Sequence, residues 1–231
     1  MSLKNFFKKS HVEVESYLDL LFLYAKDCVM LQIGANDGQL CDPIRKYVLL
    51  NKVKGVLLEP QIEVFKNLKE NYQSVEGLNF VNKALSGTNG ITSLYSVDDF
   101  LVRQYSDLSG VASFSRGHVS KEIKSNMHKL SFENAKTIDD YVVKTDVETI
   151  TYSSLIKEYL INNLDLLMID AEGFDYESVM LFPFDEVKPK AVLFEDKHIG
   201  KAKRTQLKSY LKDLGYIAYH ARNDVLFVLE Y

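Results

Sequence analysis

Between Val29 and Gly38 the chain reads Val-Met-Leu-Gln-Ile-Gly-Ala-Asn-Asp-Gly. An apolar run that halts at Ile33 in a turn bracketed by two glycines permits few structures. A run this short, with turn residues at its end, is a strand buried on both faces, as in a parallel sheet. Gly34 and Gly38 allow backbone angles that a side chain forbids, and they let another molecule come close to the main chain. In open α/β sheets a turn of this kind, at the carboxyl end of a strand, forms one wall of a nucleotide-sized crevice.

The pattern repeats along the chain. Gly55–Glu59, Leu78–Leu85, Leu164–Asp170 and Ala191–Glu195 are further buried strands, and three of them end in an acidic residue. Between them lie helical segments. Asp42-Pro43 caps one with an inward face of Ile44, Val48 and Leu49, and Val64, Phe65 and Leu68 mark the next. Others are expected at Leu155–Leu160, Tyr176–Leu181 and Thr205–Leu214. An N-terminal helix over 11–25, with Val14, Leu18, Leu21 and Phe22 on one stripe, either packs on the sheet or closes the top of the site; its other use would be a homodimer face. Alternating strands and helices give right-handed βαβ units. Tyr216–His220 and Val225–Leu229 then flank Ala221-Arg-Asn-Asp224, a hairpin turn, so the last strand runs antiparallel.

One stretch breaks the regularity. From about residue 96 to 145 the sequence is polar and irregular, with short helices expected near Val97–Tyr105 and His118–Asn126. A long insertion over a sheet edge is commonly functional. Here it is expected to form the acceptor side of a site within a single domain spanning 1–231.

Composition narrows the partners. With 28 Lys and Arg against 32 Asp and Glu, the net charge is −4, and no basic stripe suited to nucleic acid is visible. Cys28 and Cys41 have no zinc or disulfide spacing. No apolar run is long enough to span a bilayer and no signal-peptide pattern opens the chain, so the cytoplasm is the expected location and a membrane partner is not expected.

The acidic strand ends suggest a ligand. Glu59 follows Gly34 by ~25 residues, the spacing at which a carboxylate accepts hydrogen bonds from ribose hydroxyls. A dinucleotide would want a glycine-rich phosphate turn, but Asp37 would repel a phosphate and would suit the cationic amino and sulfonium groups of S-adenosylmethionine. A seven-stranded, mostly parallel sheet with helices on both faces and a C-terminal antiparallel hairpin is also the Rossmann-like plan of class I methyltransferases.

Four segments carry a closer resemblance: Ile33–Gly38, Leu57–Pro60, Asn82–Ser86 and Leu166-Leu-Met-Ile-Asp-Ala-Glu-Gly-Phe-Asp-Tyr176. Together they resemble the FkbM family of methyltransferases over Val29 to Leu229, the insertion apart. The resemblance implies transfer of a methyl group from S-adenosylmethionine to a hydroxyl oxygen, often of a sugar or secondary metabolite. It implies that Gly34, Asn36, Asp37 and Gly38 line the methionine and ribose portions and that Glu59 holds the ribose. Pro60 would lie against the adenine, with Asn82, Lys83 and Ala84 at its edge. Gln32 departs from the acidic residue that many members carry there.

An alcohol does not ionise near neutral pH, so a base or a metal must assist. Asp170, beneath the donor or acceptor, is the first candidate, and His198, just past the Ala191–Glu195 strand, is the preferred histidine base. His118, in the insertion, is its rival; His11, His128 and His220 have no comparable position. Glu172 is expected to bond its local backbone. A hard cation between Asp170 and Glu195 or Asp196 would also serve, but such acidic strand ends are common in metal-free proteins and no metal ligand is assigned. Tyr95, Phe100, Tyr105 and Phe114 would either stack on an acceptor ring or pack the insertion onto itself. A non-catalytic binding module and, less readily, an NAD-linked oxidoreductase are the alternatives. Nucleobase methylation is disfavoured, because the Asp-Ala-Glu-Gly loop replaces an Asn-Pro-Pro-aromatic motif and no cysteine stands beside a proline.

Overall fold

The computed structural model describes residues 14–24, 28–40, 42–126, 137–221 and 224–230. Cys41, His11 and His128 lie outside them. The main sheet contains β1 (Cys28–Ile33), β2 (Val53–Leu58) and β3 (Leu78–Val81). A second sheet is made of β4 (Ala84–Leu85), β5 (Gly90–Val97), β6 (Ala112–Ser113) and β7 (Val142–Ile150). The chain returns to the main sheet as β8 (Leu166–Ile169), β9 (Ala191–Glu195), β10 (Tyr216–Ala221) and β11 (Asp224–Leu229).

The main sheet has the order β10-β11-β9-β8-β1-β2-β3, with β11 antiparallel to both neighbours and every other pair parallel. This is the seven-stranded plan with its terminal hairpin. Successive side chains of a strand point to opposite faces, so each apolar run feeds two cores. Leu31, Ile33, Val56, Leu58, Leu167 and Phe194 enter one. Cys28, Met30, Leu57, Met168 and Leu193 enter the other, where Leu18 and Phe22 of the helix Val14–Tyr24 also pack. That helix therefore lies on the sheet, with the Phe22 and Tyr47 rings 4.7 Å apart, and does not line the crevice. Among the described residues, no helix is long and apolar enough to cross a membrane.

Two expectations change. The strand expected over Leu78–Leu85 is broken at Asn82, whose side-chain amide donates to the carbonyls of Glu59 and Pro60 at 2.8 and 3.0 Å. The bend sends Ala84 and Leu85 to pair with Thr149 and Ile150 of β7 instead. The irregular segment is also more ordered than its polarity suggests. β5 pairs antiparallel with β7 over its whole length, Gly90 opposite Thr149 to Val97 opposite Val142. Much of β7 is exposed, so no alternating apolar face marks it. The insertion therefore runs from Gly90 to Ile150. It has its own small core of Val97, Leu101, Leu108, Val119, Ile123 and Tyr141. The two expected helices are present at Asp99–Gln104 and Arg116–Ser125, capped by the side chains of Asp98 and Ser115.

Candidate functional site

The carboxyl ends of β1, β2 and β8 are tied together. Gly34 and Ala35 both donate to the Leu58 carbonyl, at 3.0 and 2.8 Å, and Asp170 N donates to the Ile33 carbonyl at 2.9 Å. Gly34 adopts φ +77°, and a Cβ there would stand 1.8 Å from the Asp170 carbonyl oxygen. The absent side chain lets the two strand ends touch. Above them opens a solvent-open crevice between the carboxyl ends of the strands and the insertion.

Glu59 forms one end of this crevice. Its carboxylate is buried and accepts from Asn36 N at 3.0 Å and from Gln61 N at 2.8 Å. Each oxygen keeps a further lone-pair site. Burial pushes its pKa up to about 7, against the pull of those two N–H groups. Pro60, Ala84, Leu85 and Leu94 give an apolar wall beside it. The insertion supplies the facing wall with Gly110, Ala112, Ser113 and Phe114, the last edge-on to Phe174 at 5.2 Å.

Of the expected cofactor residues, Gly34, Glu59, Pro60, Ala84 and Asp170 line this crevice, whereas Asn36, Asp37, Gly38 and Asn82 do not. Asp37 caps its own turn, its Oδ1 accepting from Gln39 N and Leu40 N, both at 2.8 Å. Asn36 supplies Glu59 with its backbone N–H while its side chain accepts from Asp37 N. Gly38 is covered by Tyr72, whose hydroxyl donates to the Gly38 carbonyl at 2.6 Å. Asn82 holds the bend below the wall. Gln32 is buried and bonded to Asp42, away from the crevice.

At the other end, acidic and imidazole groups collect. Asp170 is exposed at the crevice. The protein around its carboxyl, then the charges of Glu172, Asp175, Glu195 and Asp224, hold it above the usual carboxylate range. Glu172 does not bond its local backbone as expected. Asp175 takes that role, accepting from Ala171 N at 3.3 Å and Gly173 N at 3.2 Å. Glu172, freed and in a left-handed conformation (φ +44°), sets its Oε2 3.2 Å from His118 Nε2.

His118 and His198, considered above as rivals, are neighbours. Their rings stand edge to face with centroids 4.7 Å apart. His198 Nε2 lies 3.2 Å from Glu195 and 3.9 Å from Glu122. Burial, then the charges of Lys197 and His118, lower the His198 pKa. In the sequence, Glu122 is marked only by its spacing of four from His118, which puts both on one helix face. Asp196 is paired with Arg204 at 3.3 Å and is not part of the cluster. Of the four aromatic candidates only Phe114 reaches the crevice. Tyr95 and Tyr105 pack on the insertion's core, and Phe100 stacks on Tyr141.

The buried carboxylates carry a stability prediction. Glu59 and Asp175 are both raised to about 7, chiefly by burial. Between their ordinary values and 7 the folded protein holds protons that the unfolded chain has released. Their contribution is thus fully present below the unfolded pKa and lost as pH rises through the folded one. Moving from about pH 8 to about pH 6 should restore roughly 1.4 kcal/mol per group. The melting temperature should then rise by several degrees, at about 2–4 °C per kcal/mol for a chain of this size. A melting temperature that climbs with pH across that window, read by calorimetry, would contradict the assignment.

The family described as "Methyltransferase FkbM domain" matches residues 32–218. No curated protein matches the sequence. Among solved structures, precorrin-6Y C5,15-methyltransferase from Geobacter metallireducens is 11% identical, with a TM-score of 0.41 over 99% of this chain and 91% of its own. A SAM-dependent O-methyltransferase from Thermotoga maritima is 8% identical, with a TM-score of 0.45 over 99% of this chain and 70% of its own. An rRNA methylase from Streptococcus thermophilus is 8% identical, with a TM-score of 0.44 over 97% of this chain and 99% of its own. Likenesses this distant say nothing of substrate.

Proposed function

Because this chain belongs to the FkbM methyltransferase family, we propose that it transfers the methyl group of S-adenosylmethionine to a hydroxyl oxygen of a small molecule or saccharide. The observation that carries this reading is the division of the crevice. A buried carboxylate with spare acceptor sites stands at one end, and a cluster of carboxylates and imidazoles at the other.

The residues present fit the cofactor. Glu59 would hold the ribose hydroxyls, the Pro60, Ala84 and Leu94 wall would take the adenine, and Gly34, which lines the crevice between them and Asp170, would meet the methionine portion. The cofactor supplies an already activated methyl group, so the chain's work is to place the acceptor and remove its proton. Asp170 faces the crevice and would meet the hydroxyl. His118 and His198, behind Glu172, would carry the proton away; His198 is suited to this because burial lowers its pKa and so favours the neutral form. The insertion, through Ala112, Ser113 and Phe114, would shape the acceptor side. A phosphate backbone would meet Asp170 and Glu172 unfavourably, which supports an acceptor other than nucleic acid.

The test uses S-adenosylmethionine labelled in its methyl group with a panel of saccharides, hydroxylated metabolites, amines and RNA. Label should appear in alkali-stable ethers of a hydroxylated acceptor. His118→Ala should slow transfer about 100-fold or more with little change in S-adenosylhomocysteine affinity. Label confined to amines or RNA would overturn the reading.

A further inference from the structure

His118, Glu172 and His198 come from three separate elements: the insertion helix Arg116–Ser125, the loop after β8 and the loop after β9. Each offers one ligand atom, and these atoms lie within 4.8 Å of one another. Sequence spacing does not predict this; the fold brings the three together. We propose that they form a binding site for a first-row divalent transition cation at the acceptor end of the crevice.

The donor set determines the class of ion. Two imidazoles with one carboxylate make a borderline nitrogen–oxygen site, which suits zinc, iron or cobalt and not the all-oxygen shells of magnesium and calcium. Ligand atoms held at about 2.1 Å from one ion stand roughly 3.0–3.4 Å from each other. His118 Nε2 and Glu172 Oε2, at 3.2 Å, already have that separation. Glu195 Oε2 is 3.2 Å from His198 Nε2 and Glu122 Oε1 is 3.9 Å from it, so further oxygens are at hand. Among the described residues, no lysine or arginine forms an ion pair with Glu122, Glu172 or Glu195. Lys197 acts on Glu195 through its charge without forming an ion pair, and a divalent cation would balance the carboxylate charge that remains in the cluster.

The site also has room built for it. Gly173 takes φ +94° directly beneath His118, and a Cβ there would come within 3.0 Å of His118 Nδ1. The glycine lets the imidazole settle over the loop and reach Glu172. Because Glu172 also lines the crevice, the ion would sit where an acceptor hydroxyl arrives. This use of the site rests on the methyl-transfer reading above. The histidines would then serve as ligands, polarising the hydroxyl through the ion, and Asp170 would be left to take the proton.

The experiment titrates untagged, metal-stripped protein with Co2+ and follows its visible absorption and paramagnetically shifted proton spectrum. One Co2+ per chain is expected, with two shifted imidazole N–H resonances, displaced by Zn2+ but not by excess Mg2+. His118→Gln, His198→Gln and Glu172→Gln should each weaken Co2+ binding roughly 100-fold or more. His220→Gln, at an exposed histidine paired with Lys208, should leave it unchanged. Absence of stoichiometric binding by the wild type, or a spectrum with no imidazole resonance, would overturn the site without recourse to any variant. The same samples are titrated with S-adenosylhomocysteine. Retained cofactor binding with no Co2+ overturns only the metal, whereas loss of cofactor binding by the wild type is the failure of the methyl-transfer reading.

Discussion

Replacing Glu59 by glutamine is expected to weaken S-adenosylhomocysteine binding by roughly 100-fold or more above neutral pH. The carboxylate sits between two backbone donors, Asn36 N and Gln61 N, and bonds both. It can do so and still receive two ribose hydroxyls because each oxygen has two lone-pair sites. Glutamine keeps the shape but has one acceptor oxygen. Its NH2 must oppose one of the backbone N–H groups, and a ribose hydroxyl loses its partner on the same side. Hydrogen bonds to a charged group are worth about 1.5–3 kcal/mol each, and two are weakened at once. Calorimetric titration of wild type and variant reads the difference directly. Equal affinities would remove Glu59 from the cofactor site.

A pH series makes the test sharper. Burial holds the Glu59 pKa at about 7 in the free protein. Hydroxyl donors favour the ionised form, so cofactor and proton compete. Wild-type affinity should therefore fall by about tenfold per unit as pH drops below that value and level off above it. The glutamine variant has nothing to titrate there and should show no such slope. A flat wild-type profile would mean that the carboxylate stays ionised without its ligand.

The parts of the fold legible in the sequence are those buried on both faces. Leu166–Ile169 and Ala191–Phe194 are continuous apolar runs, and Cys28–Ile33 is interrupted only by the buried Gln32, because each lies inside the main sheet. Strand ends in such a sheet fall at one edge, so Glu59 and Asp170 could be placed by position alone. The β5–β7 ribbon was not legible. Thr145, Val147 and their neighbours face water more than core, leaving β-branched content as the only trace. Asp37 was ambiguous for a local reason. An aspartate in a tight turn can reach the N–H groups two and three residues on, and that short-range bond competes with any ligand. Glu172 departs from its expected role because its direction depends on a left-handed backbone and on Asp175 claiming the loop's N–H groups first. Its partner His118 is 54 residues away, on an insertion whose docking no periodicity encodes.

Adding one methyl group at Gly34 should have the largest effect on the scaffold itself. An alanine Cβ would stand 1.8 Å from the Asp170 carbonyl oxygen, a backbone atom that no rotamer change can move. The residue would also keep φ +77°, costly for any side chain. Relief requires the ends of β1 and β8 to part, but Ile33 and Asp170 share a 2.9 Å hydrogen bond there, and Gly34 and Ala35 are both bonded to Leu58. Either those bonds break or Asp170 swings out of the crevice. Strain and overpacking together should cost about 3–5 kcal/mol, lowering the melting temperature by roughly 10 °C or more. Surviving protein should bind S-adenosylhomocysteine poorly. Gly117→Ala is the matched control. That glycine lies within the helix Arg116–Ser125 and has only Ser115 Oγ nearby, at 3.8 Å. Alanine there should stabilise by about 0.5–1 kcal/mol through helix propensity. A Gly34→Ala protein that melts and binds like wild type would show that the strand ends are not joined as described, and the crevice would lose its floor.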